Sequence, residues 1–197
     1  MLVKNITVDR FLLLLATFLF TLSAHFSVAG DRNVESISNI EIIKFLASQN
    51  PQEANLAAHN VLNQGISILP MLLKYQGDRR IFMGTALINP RASILLPMSI
   101  EGFPIPESQM ERATTMEVAA LYLISAVYYD KLPFAHAPLL IDETVKRGER
   151  EAKNTKEFLE LGYKSAKQWI QECQIKGLDA MRQAGRTPLA DAHLSWY

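Results

Sequence analysis

Between residues 54 and 62, Ala54, Ala57, Ala58, Val61 and Leu62 recur at spacings of three and four, the period of one helical face. Ahead of them Asn50-Pro51-Gln52-Glu53 supplies a cap, a proline at the first helical position and an acid in the first turn, and Gly65 supplies the stop. This predicts a helix over 51–64. Upstream, Ser38 and Glu41 stand at capping-box spacing before Ile42, Ile43, Phe45 and Leu46, which predicts a short helix over 39–48. Downstream, SILPMLLKYQ (67–76) carries Pro70 in its first turn and ends at Gly77-Asp78, predicting a third helix antiparallel to the second.

The second half has a different texture. Thr114 and Glu117 again show capping-box spacing, and the twelve residues 118–129 contain no charge. A helix over 115–130 that is apolar on every side belongs at the centre of a core, and it is too short to cross a bilayer. Its partner is expected to begin near Phe134 and to include Ala137-Pro138-Leu139-Leu140-Ile141. Acid precedes base at i,i+4 in Asp142/Lys146, Glu149/Lys153 and Glu160/Lys164, and Leu159, Tyr163, Ala166, Ile170 and Cys173 form one seam. Together these predict a long helix over 149–176, interrupted by Gly177. A short turn over 178–184 and an irregular tail over 188–197 follow.

Residues 78–113 break the helical pattern. Pro90, Pro97, Pro104 and Pro106 fall there with Gly84 and Gly102, so only short pieces of regular structure are expected. A loop of that length inside a domain is either functional or contains undetected elements. The chain therefore reads as all-α, with little sheet, a long proline-rich loop and a long C-terminal helix.

In order and spacing, Ala57-Ala58, Leu62, Gly65, Ile68, Pro70, Leu72-Leu73, Asp78 and Arg79 resemble a HEAT-type helical repeat over residues 53–80. A fainter second copy is Glu117-Val118-Ala119-Ala120 with Pro138-Leu139-Leu140. The resemblance implies stacked helical hairpins, because one hairpin cannot bury its apolar face alone. It also implies macromolecular binding, the usual role of such repeats.

Residues 11–22 (FLLLLATFLFTL) carry no charge, follow Lys4 and Arg10, and lead to Ser27-Val28-Ala29. That is the layout of a secretory signal with a cut after Ala29, leaving 30–197 as one helical domain that is not stably inserted in a membrane. The competing arrangement is a retained anchor, since residues 11–29 reach the lower limit for spanning. Removing 1–29 takes away Lys4, Arg10 and Asp9, which moves the net charge from zero to −1. Neither value suits a nucleic-acid binder, which needs a basic face. A disulfide scaffold is excluded by the single cysteine.

Candidate chemistry is sparse. His59, His136 and His193 have no second ligand at metal-binding spacing, so neither metal nor cofactor is expected. Tyr163 and Lys167 have the spacing of a phenol with an activating lysine, but no glycine-rich strand-to-helix turn accompanies them, and Tyr163 reads as core. Cys173 lies on the apolar seam, where burial makes a thiol inert. No catalytic set is assigned. For an unidentified protein partner, the candidate contacts are Arg79, Arg80, Arg91, Phe103 and Trp169, with the loop tip at 100–106 as the recognition surface. The arginines equally suit helix capping or pairing with a local acid, and Trp169 equally suits a place between helices. Two function classes follow: an exported, non-enzymatic adaptor or inhibitor, or a hydrolase assembled from Glu101, Glu107 and Glu111 with His136.

Overall fold

Local caps set most of the helix starts in the computed structural model, which describes residues 38–91, 96–97 and 105–197. Helix α1 (Asn39–Leu46) opens on the capping box, with Glu41 N–H donating to Ser38 Oγ at 3.3 Å and Ser38 N–H donating to Glu41 Oε2 at 3.0 Å. Helix α2 (Pro51–Gln64) starts where Asn50 Oδ1 accepts the Gln52 N–H, and it ends at Gly65, whose φ of 57° favours glycine. The two helices pack as a hairpin. The third predicted helix is shorter and tighter: a 3₁₀ turn Gly65–Ser67, one α-turn Leu69–Leu72 (α3) and a second 3₁₀ turn Leu73–Tyr75. Its Tyr75 hydroxyl donates to Ile43 C=O at 2.7 Å, joining this piece to α1.

Helix α4 (Met116–Tyr129) occupies the centre, and all of its residues except Glu117 and Tyr129 are buried. Asp130 ends it in the left-handed conformation, and Arg182 completes it from far along the chain. The Arg182 guanidinium donates to the C=O of Tyr128 at 2.8 Å and of Val127 at 2.9 Å, satisfying terminal carbonyls that a buried helix could not turn to water. Helix α5 (Lys156–Lys176) starts at Thr155, stops at Gly177 and buries Leu159, Tyr163, Ala166, Trp169, Ile170 and Cys173 against α4 and its surroundings. The short helix α6 (Leu178–Gln183) follows directly.

The fold is mostly helical, and besides the shortened third helix it departs from the sequence expectation in three stretches. Residues 149–155 are not helical: the Lys153 N–H donates to Leu140 C=O and the Asn154 N–H to Glu111 C=O, so nonlocal partners replace the helical ones. The segment after α4 is not a helix either, because the Tyr122 hydroxyl accepts the N–H groups of both Phe134 and Ala135 and pins the chain there. Beyond it, β1 (Leu140–Asp142) pairs antiparallel with β2 (Leu194–Trp196), in the register Leu140↔Trp196. The tail expected to be irregular is thus a 3₁₀ turn (Ala190–Ala192) and a strand. Among the described residues, no helix is long and apolar enough to cross a membrane.

Candidate functional site

The N-terminus of α4 is stitched to the chain that leaves the helical hairpins. Ile81 and Thr115 form an antiparallel bridge, the Phe82 N–H donates to Thr114 C=O, and the N–H groups of Met116 and Glu117 donate to the C=O of Arg80 and Asp78. Thr115 Oγ takes the Val118 N–H. The opening donors of α4 are therefore already engaged, and this helix end offers no anion site.

Glu117 departs from the expected cap. Thr115 holds the N-cap position, and Glu117 turns its carboxylate away from its own helix to accept the Gly77 N–H on Oε1 at 2.7 Å. Burial raises this carboxyl above its ordinary value and the Gly77 N–H opposes the rise, while the nearby Glu160 and Asp78 add to it and the Arg79 guanidinium works against it. Beneath it, the deeply buried Tyr163 hydroxyl donates to Glu117 C=O at 2.9 Å, and burial pushes that phenol up as well. Tyr163 is thereby a packing residue, while Lys167 is exposed.

Glu117 stands in a cleft of about 740 Å³ formed by four pieces of chain. Gln76, Gly77 and Arg79 line it together with Glu107, Ser108, Met110 and Glu111 of the 3₁₀ turn Glu107–Arg112. Thr115, Glu117 and Val118 at the start of α4, and Asn154, Lys156, Leu159 and Glu160 at the start of α5, complete the lining. Asn154 is 5% exposed and fully spent on structure: Oδ1 accepts the Leu140 N–H and Nδ2 donates to Pro138 C=O. Arg79 pairs with Glu107 at 2.6 Å, and Lys156 lies 3.8 Å from Glu160. A smaller hollow of about 370 Å³ shares Arg79 and Met110 with this cleft and adds Gln49, Arg80, Ile81, Met83 and Ile105.

The candidate partner residues separate accordingly. Arg79 lies on both hollows and Arg80 on the smaller, but each guanidinium is held by a local acid, Glu107 and Asp78 respectively. Arg91 is exposed beyond a turn in which its N–H donates to Asn89 Oδ1, away from the cleft lining. Trp169 has to be withdrawn from the partner surface: it is 1% exposed, and its Nε1 donates to Arg186 C=O at 2.7 Å inside the core. Phe103 and Glu101 lie outside the described residues, as do most of the tip at 100–106 and all of 1–37. Of the hydrolase set, Glu107 and Glu111 line the cleft; His136 does not, and its ring lies 6.1 Å from that of Tyr197. Among the described residues, no three His, Cys, Asp or Glu side chains gather as a metal site.

Sequence reading missed Glu117 because its spacing from Thr114 already had a structural explanation. Its position carries a testable cost. A carboxyl with a raised pKa in the fold loses stability as the pH rises past its unfolded value of about 4.3, so the charged cleft is less stable than a neutral one at pH 7. Glu117→Gln keeps an oxygen for Gly77 and removes the charge. Thermal melts should show it at least as stable as the parent at pH 7, with the difference closing below about pH 4. A lower melting temperature at pH 7 would make the carboxylate a structural anion instead. No protein-family model, curated protein or solved structure matches the chain.

Proposed function

We propose that the protein is an exported, non-enzymatic binding module of the adaptor or inhibitor type, working in the cell envelope or outside the cell, with the Glu117 cleft as its recognition face. The observation that carries this reading is the cleft itself: an open concavity whose lining mixes Met110 with the charged Arg79, Glu107, Glu111, Lys156 and Glu160. A HEAT-like role for residues 53–80 fits beside it, because α2, the Gly65 turn and the proline-bearing α3 pack on α4 and lead into Gln76, Gly77 and Arg79 on the cleft. Export rests on the uncharged run 11–22 and the small residues before Gly30. The exported form should begin near Gly30 on N-terminal sequencing. An intact Met1 in a membrane pellet would favour an anchor.

Photocrosslinking tests the face. A benzophenone side chain at Ser108, exposed on the cleft, should give a discrete adduct in the native exported fraction; one at Lys74, exposed off the cleft, should not. Identical adducts from both positions, or none from Ser108, would move the interface elsewhere. The second reading, a hydrolase, is favoured only by Glu107 and Glu111 sharing the cleft. Turnover of ester or glycoside probes that is lost in Glu111→Gln would establish it.

A further inference from the structure

The segment between β1 and α5 is fastened at both ends. At one, the Glu143 N–H donates to His193 C=O at 2.9 Å; at the other, the Lys153 N–H donates to Leu140 C=O and the Asn154 amide clamps Leu140 and Pro138. Between these anchors every residue from 143 to 151 is exposed except the half-buried Val145. Among the described residues, the hydrogen bonds of 144–150 stay inside the loop: Thr144 with Asp142, the Glu149 N–H with Lys146 C=O, and the Arg150 guanidinium with the C=O of Val145 and Glu143. The tip is Lys146-Arg147-Gly148. Among the described residues no acid pairs with either cation, and a Cβ added to Gly148 would meet nothing within 4 Å.

We infer that this tip is a cleavage site for an endoprotease that cuts after a basic side chain, and that the nicked protein stays folded as two chains. At the Arg147–Gly148 bond, water adds across the amide and leaves a carboxylate on Arg147 and an amino group on Gly148, with nothing oxidised or reduced. A protease of this class holds the basic side chain against a carboxylate in its specificity pocket, and Arg147 offers a guanidinium with no competing acid. It also takes its substrate extended, so the turn closed by Lys146 and Glu149 has to open first. Opening breaks only solvent-facing hydrogen bonds that water replaces, because none of them reaches the body of the fold. Other basic positions demand more. Lys164, Lys167 and Lys176 lie on α5, which would have to unwind from the core, and Arg79 and Arg80 adjoin the bridge that fixes the start of α4. After the cut, β1 and α4 on one piece remain joined to β2 and α5 on the other through strand pairing, the Asn154 clamp and a shared core.

Trace trypsin acting on the native full chain, followed by intact mass, tests this. The first cut within residues 38–197 should fall after Lys146 or Arg147, and the two pieces should part in denaturing electrophoresis yet co-elute on gel filtration. A first cut there after any other basic residue overturns the site, and pieces that separate without denaturant overturn the two-chain form. Lys146→Gln/Arg147→Gln, checked to melt like the parent, should keep residues 38–197 uncut at least about tenfold longer, since cleavage follows the population of the opened segment. An unchanged lifetime would mean that the tip is not the accessible site. Leu121→Ala separates local from global opening. A cut at the tip within about threefold of the parental rate supports opening of the loop alone, whereas a rate that rises in step with the lost global stability overturns it.

Discussion

Leu121→Ala should lower unfolding free energy by about 2–5 kcal/mol, from lost transfer energy together with the cavity left behind. Leu121 is fully buried on α4 and lies against Gly162 of α5, which leaves room for it: a Cβ on Gly162 would stand 2.8 Å from Leu121 Cδ2. Gly162→Ala alone therefore overpacks the crossing, costing about 1–3 kcal/mol before the better helix propensity of alanine, about 1 kcal/mol, is set against it. In the double variant the new methyl enters the space vacated by the leucine. Urea unfolding of all four proteins should give a combined loss smaller than the sum of the two single losses. Strict additivity would mean that α4 and α5 do not meet at this point.

Trp169→Ala should be at least as damaging, with a loss of about 3–5 kcal/mol for a large buried aromatic. Trp169 also stacks edge-on to Tyr128 at 6.1 Å between ring centres and holds the Arg186 carbonyl. Trp169→Phe retains much of the packing but orphans that carbonyl, so about 1–3 kcal/mol should still be lost. Near-parental melting of the alanine variant would return Trp169 to the surface as a contact residue. The expected loss of stability instead leaves partner recognition to exposed positions such as Ser108.

Features with local causes were readable in the chain. The Ser38–Glu41 box, the Asn50-Pro51 start and the Gly65 stop depend on neighbours within four residues, and the charge-free run 118–129 of α4 could only be central. Where partners are distant, local pattern misled. Glu149 and Lys153 have helical spacing, yet Lys153 belongs to a backbone bond with Leu140 and Asn154 to a clamp on Pro138 and Leu140. Three-residue strands such as β1 and β2 carry too few positions to show a period of two. The cleft was half visible: Arg79, Glu107 and Glu111 drew notice as charged residues of the odd region, whereas Glu117 was concealed by the cap it did not form.

The arginine that completes α4 has a consequence for synthesis. Arg182 lies 54 residues beyond the Tyr128 carbonyl it caps, and α5 and α6, which cover the same helix, also follow it. At about 5–20 residues per second, roughly 3–11 s separate the appearance of the apolar segment from that of its cap. Through that interval fourteen residues with a single charge lack the Arg182 cap on Val127 and Tyr128 and have only the N-terminal hairpins to lie on. A nascent chain halted before residue 182 should therefore bind a holding chaperone, and one carried past Arg186 should release it.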